Sequence, residues 1–183
     1  MRHLLLLIAL LLSPAAVWAE EMDRSGWQTH VDEKWGYSIQ YPPDWQVEVG
    51  PSEGFHLKLV PPGGEVDRDC AVITVRKWWW WLFPDQAAIR GLTSEQFRES
   101  IIPYVDDVRV DERTPLMLGE HEGVRFRFSF SEIINGIPVS GNGLLVHTFR
   151  GNTGYDVDCK VFSPESADTV LEMAPIVESL RLR

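Results

Sequence analysis

One stretch, Gly36-Tyr-Ser-Ile-Gln-Tyr-Pro-Pro-Asp-Trp45, constrains the fold more than any other. Its first half alternates. Tyr37, Ile39 and Tyr41 point one way and Ser38 and Gln40 the other, which is the period of a half-buried strand. Pro42 and Pro43 have no N–H to give to a ladder, so the strand must end there. Asp44 is a turn or helix-cap residue, and Trp45 is a large apolar anchor behind it. The segment reads as a strand, a rigid corner and an aromatic plug.

The same alternation recurs along the chain. Trp27–Val31 is a first strand, with 32–36 as the turn into the central one. Gln46–Val49 and Phe55–Val60 follow the corner, and Cys70–Arg76 is a strand rich in β-branched residues. Val108–Thr114 is a further strand or an extended edge. In the clearest strand, Val124, Phe126, Phe128 and Phe130 face inward, and Arg125, Arg127, Ser129 and Ser131 face outward. Asn135-Gly136 marks a turn before a strand over Ser140–Phe149. Gly151-Asn-Thr-Gly154 marks another before Tyr155–Phe162. These last three strands predict an antiparallel meander.

Two helices are expected. Thr93-Ser-Glu-Gln96 has capping-box spacing, and that helix should run to about Ile102, with Phe97 and Ile101 inside. Ser163-Pro164-Glu165 opens the last helix, whose apolar stripe is Val170, Met173, Ala174, Val177 and Leu180. Pro175 interrupts that stripe, which predicts a kink or two short helices.

The N-terminus has the order of a secretory signal. Arg2 and His3 precede the apolar run Leu4–Leu12, and small residues lead to Ala19 before Glu20-Glu21. Residues 1–19 are therefore expected to be removed. Residues 20–183 are expected to form a single domain that is periplasmic or extracellular and soluble after cleavage. The chain carries 17 Lys and Arg against 27 Asp and Glu, a formal net charge of −10. That balance repels phosphate backbones, so nucleic acid is not an expected partner. Cys70 and Cys159 are the two cysteines, and in an exported protein an even count points to a disulfide. It would close a loop of roughly 90 residues, worth about 4–5 kcal/mol in the chain-entropy account. The alternative is two buried thiols that never meet.

Trp78, Trp79, Trp80 and Trp81 are consecutive and cannot all face one core in any regular element. Either the segment folds over an open core edge, or it offers an aromatic patch to a partner, a glycan or the membrane interface. Arg125, Arg127, Arg150 and Lys160 are expected to share one sheet face with Asp156 and Asp158. That face is either laced by cross-strand ion pairs or left open as a concave polar groove for a peptide or protein.

The Tyr-x-Ile-x-Tyr-Pro-x-x-Trp opening and the closing Ile176-Val-Glu-Ser-Leu-Arg-Leu182 resemble the two ends of the PsbP-like group (Mog1/PsbP, DcrB-related). The resemblance implies an α+β fold, an α/β/α sandwich around a mainly antiparallel sheet. It also implies a role that is not enzymatic. The roles in that group differ widely, so the fold does not choose among them. The tryptophan run and the cysteine pair depart from the pattern, and no functional residue carries over position by position.

Sequence motifs for chemistry are missing. There is no Gly-x-Ser-x-Gly elbow, phosphate loop, His-Glu-x-x-His or Cys-x-x-Cys. Gly141-Asn-Gly143 and Gly151-Asn-Thr-Gly154 read as turns. Neither His30 with Asp32, His121 with Glu122, nor Asp67 with Asp69 makes a ligand set, so no metal and no other cofactor is expected. The leading expectation is a non-catalytic binding or accessory protein with an unknown protein or peptide partner. Its contact residues would be Trp78–Trp81, Arg125 and Arg127. The competing classes are an envelope hydrolase using distant residues such as His147, Asp156 and Asp158, and a structural protein that docks at a membrane or wall.

Overall fold

A computed structural model describes residues 24–50, 55–63, 68–76, 89, 107–134, 136–163 and 168–183. The leader 1–19, the tryptophan run 78–81 and the helix expected over 93–102 lie outside the described residues. The elements are β1 (Gln28–Asp32), β2 (Tyr37–Tyr41), β3 (Gln46–Val49), β4 (Phe55–Val60), β5 (Arg68–Arg76), β6 (Asp107–Leu118), β7 (His121–Ile134), β8 (Ile137–Arg150), β9 (Thr153–Val161) and β10 (Arg181–Leu182). A 3-10 turn over Thr169–Met173 and a short helix α1 (Ala174–Val177) precede β10. Pro175 sits in the first turn of α1, so the last helix is indeed two short pieces.

The strands form two sheets. The small one runs β1-β2-β10, and the large one β3-β4-β5-β9-β8-β7-β6, with every pairing antiparallel. The large sheet therefore has a near face, toward the small sheet, and a far face. Tyr37, Ile39 and Tyr41 of β2 are buried against the near face, where they meet Leu57, Leu59, Val72, Leu144, Val146, Tyr155 and Val157. Val170, Met173, Ile176, Val177 and Leu180 close the same core. Each such side chain contributes about 1.5–3 kcal/mol by leaving water. The alternation in Tyr37–Tyr41 is thus the signature of a strand with one face on a core.

The two sequence ends that carry the family resemblance touch. β10 pairs with β2, Arg181 opposite Ser38 and Leu182 opposite Tyr37. One step along, the Ser179 hydroxyl replaces the ladder. It accepts from the Gln40 N–H at 2.8 Å, and its proton is shared between the Ile176 carbonyl at 2.6 Å and the Gln40 carbonyl at 3.1 Å. The serine satisfies a strand edge that the helix end cannot reach with its own backbone.

Cys70 and Cys159 are register partners on β5 and β9, both fully buried on the near face, and they are joined by a disulfide. The far face carries Val124, Phe126, Phe128, Phe130, Leu145 and Phe149, with Ile89 packed on them.

Three expectations need correction. Gly141-Asn-Gly143 is not a turn; it lies inside β8. Phe128 is opposite Gly143 and Phe130 opposite Gly141. A Cβ at Gly143 would lie 2.0 Å from the Phe128 ring, and one at Gly141 would lie 2.9 Å from Phe130. The glycines leave room for the rings to lie across the neighbouring strand. Second, β6 does not end at Thr114 but continues through Pro115 to Leu118. It is the outer strand of the sheet, where proline costs no ladder bond on its open side.

Third, the charged residues do not share a face. The register sets Arg127 beside Leu144 and Cys159, and Arg125 beside Val146 and Val157, so both arginines are on the near face, as is Arg150. Asp156, Asp158 and Lys160 are opposite His147, Leu145 and Gly143 and belong to the far face. The alternation in β9 is real, but both of its sides are covered, so Asp156 and Asp158 are buried and not solvated.

Candidate functional site: an open groove on the near face

The small sheet covers only the middle of the near face. Above it, β6, β7 and the base of β8 leave an open groove of about 470 Å³, lined by Arg109, Asp111, Arg127, Ser129, Ser140 and Asn142 among others. The side chains come from alternating positions of neighbouring strands, which is how a sheet assembles one polar surface from distant sequence. A register shift between Val110 and Glu112 leaves Asp111 as an extra residue at the rim, where it pairs with Arg109 at 2.9 Å. Asn142 donates to the Ser163 carbonyl at 3.3 Å.

The two arginines singled out from sequence have different situations. Arg127 lines the groove and lies 3.8 Å from Glu112. Arg125 does not line it. Arg125 reaches the other way and bonds Glu178 at 2.5 Å, just after α1, tying the large sheet to the C-terminal segment. Glu112 lies below the usual carboxylate range, first because Thr114 donates to it at 2.6 Å and then because both arginines are near.

The groove ends at a projecting ribbon. β6 starts opposite Ser131 and β9 stops opposite Asn142, so β7 and β8 run on past both neighbours toward the turn at Gly136. Gly136 takes φ 81°, as a two-residue hairpin requires. Near the tip, Ile133 follows Arg127 and Ser129 on the near face and is 67% exposed, whereas Ile137, 64% exposed, is opposite Ile134 and belongs to the far face. The sequence signal was present: isoleucines on both sides of Asn-Gly. It reads as an ordinary strand end until the pairing shows that no strand among the described residues flanks it.

On the far face, His147 Nδ1 and Asp156 Oδ1 are in direct contact, both residues nearly sealed, with the Phe149 ring edge-on to the imidazole at 4.4 Å. The other nitrogen, Nε2, has no hydrogen-bond partner among the described residues. Asp158 is raised above the usual carboxylate range by burial, against the pull of Lys160 at 3.2 Å. These groups stand on the same face as the phenylalanine cluster, with His147 and Asp156 at 3% and 4% exposure. No three His, Cys, Asp or Glu among the described residues could together hold a metal ion. No described helix is long and apolar enough to cross a membrane.

No family model and no curated protein matches the chain. Solved structures do. Cyanobacterial PsbP (CyanoP) from Synechocystis sp. PCC 6803 superposes with a TM-score of 0.57 at 15% identity, covering 89% of this chain and 96% of that one. The Ran-binding protein Mog1p of Saccharomyces cerevisiae gives 0.53 at 7% identity, covering 85% and 95%. The chain has the Mog1/PsbP fold. LpqN of Mycobacterium tuberculosis, described as involved in cell envelope biogenesis, shares it with a TM-score of 0.53 at 11% identity over 85% of this chain and 90% of its own. At these identities the likeness is one of Mog1/PsbP architecture, and it agrees with the α+β class read from the sequence.

Proposed function

We propose that this is an exported, periplasmic accessory protein that acts by binding another protein and not by catalysis. The observation that carries this reading is the open groove beside the projecting ribbon. It combines polar side chains held at fixed spacing with an exposed isoleucine, Ile133, farther along the same face, the mixed surface that protein interfaces use. Among proteins of this fold, Mog1p is a Ran-binding protein, which supports a protein as the kind of partner. The leader-like N-terminus supports export. The reading of Trp78–Trp81 as further contact residues rests on their sequence alone.

The test is comparative capture from envelope extracts. The wild-type protein and an Arg127→Glu, Ile133→Asp variant, each tagged and shown by circular dichroism to be folded, serve as baits. The expected result is a protein retained by the wild type and lost from the variant. Retention of the same proteins by both baits would remove the groove from the account.

A further inference from the structure

At the opposite end of the near face, three described cations gather around one tryptophan. Lys34 stands in the turn between β1 and β2, Arg76 ends β5 and Arg150 ends β8. Thr153 is the register partner of both arginines, which sets them two strand spacings apart, about 10 Å. The Arg76 guanidinium lies 5.3 Å from the Trp35 ring centroid and the Lys34 ammonium 5.6 Å. The Arg150 guanidinium lies over Gly36, so close that a Cβ there would come within 2.5 Å of it. Glycine at 36 therefore does two things: it takes φ 68° in the turn, and it makes room for the arginine.

The centre of this cluster is fixed. The Trp35 N–H donates to Asp32 Oδ1 at 3.0 Å, and its carbonyl accepts from the Tyr155 hydroxyl at 2.9 Å. Its ring stacks on His56 at 4.3 Å. His56 is the extra residue of a bulge between Phe55 and Leu57, and its ring is further held by Thr74 at 2.5 Å. Elsewhere on the near face, Arg109, Arg125 and Arg127 all have carboxylates near them. Lys34, Arg76 and Arg150 have none within ion-pair distance among the described residues. Of the nearby acids, Asp32 is engaged with the Trp35 N–H, and Glu33 pairs with Arg183 at 2.8 Å.

Three cations gathered around one anchored indole, with no ion-pair partner among the described residues, repel one another, and a carboxylate seated between them relieves that repulsion. We propose that the Lys34–Arg76–Arg150 cluster binds an acidic segment of the partner protein, with Asp or Glu carboxylates received by the two guanidinium forks. This rests on the reading of the protein as a protein-binding module and names the partner's chemistry. A peptide suits the site better than an anionic bilayer. A side chain reaching the cluster feels charges only within a Debye length of roughly 8 Å, where the cations dominate. A bilayer would have to approach the acidic surface as a whole.

The test uses a fluorescein-labelled peptide with a run of Glu and Asp, and its Gln and Asn counterpart, followed by fluorescence anisotropy. The acidic peptide is expected to bind and its neutral counterpart not to. Binding should fall at least tenfold in Arg76→Glu, Arg150→Glu, and should weaken as salt rises. The milder Arg76→Gln, Arg150→Gln pair should show the same direction with an unchanged melting curve. Equal binding of both peptides, or binding untouched in both variants, would overturn the proposal. So would tighter association with phosphatidylglycerol vesicles than with the peptide. If a cellular partner were retained by Arg76→Glu, Arg150→Glu yet lost from the groove variant, the binding role would stand and this site would fall.

Discussion

The two faces of the large sheet solve the same burial problem differently. The near face is aliphatic, stapled by Cys70–Cys159, and covered by β2 and α1 only over its middle. The far face lays phenylalanines across glycines and buries two carboxylates and a histidine among them. In the proposed reading, the difference separates support from recognition. Packing on the near face stops before the strands do, so its two ends remain available: a polar groove at one and a cationic cluster at the other. The far face uses its polar groups internally.

This contrast can be tested by mutation. The largest effect is expected at the staple. Replacing both Cys70 and Cys159 with Ala should cost about 4 kcal/mol in urea unfolding, since the bridge spans 89 residues of sequence. An unchanged midpoint would mean that the near face holds itself by packing alone. Gly143→Ala should come next, at about 3 kcal/mol, because the new methyl meets the Phe128 ring. Adding Phe128→Leu should recover part of that loss; if it does not, the ring is not what the glycine accommodates. Ser179→Ala should cost about 1–2 kcal/mol by stranding the Gln40 N–H, a smaller effect on the near side.

The smallest effect concerns pH. Asp158 is raised in the folded protein, so the native state holds its proton more tightly than the unfolded chain does. Stability from this group is present below the unfolded value and is lost as pH rises through the folded one. Asp158→Asn should flatten that decline in thermal melts taken at increasing pH. A decline of the same steepness in the variant would place its origin elsewhere.

Much of the near face was legible in the sequence. The period of Tyr37–Tyr41, the proline corner and the cysteine pair each carry a local physical cause, and the structure bears each of them out. What was not legible depends on register. Arg125 and Asp156 each sit on a cleanly alternating strand, but only the pairing of β7, β8 and β9 tells that they face opposite ways. Gly141 and Gly143 look like turn residues because their partners, Phe130 and Phe128, are distant in sequence. The groove was half foreseen: Arg127 belongs to it, Arg125 does not, and Arg109, Ser129 and Asn142 join only through the ladder. The cluster at Trp35 draws on three separate strands and has no sequence signature.

Site-specific photo-crosslinking in living cells measures the claim that recognition lies beyond the small sheet's cover. A photoreactive residue at Ser129, in the groove, and another at Glu48, on the opposite outer strand, report the two situations in the same protein. The account predicts a discrete adduct with one protein from position 129 and none from position 48. Equal labelling from both, or none from position 129 in protein shown to be folded and exported, would contradict it.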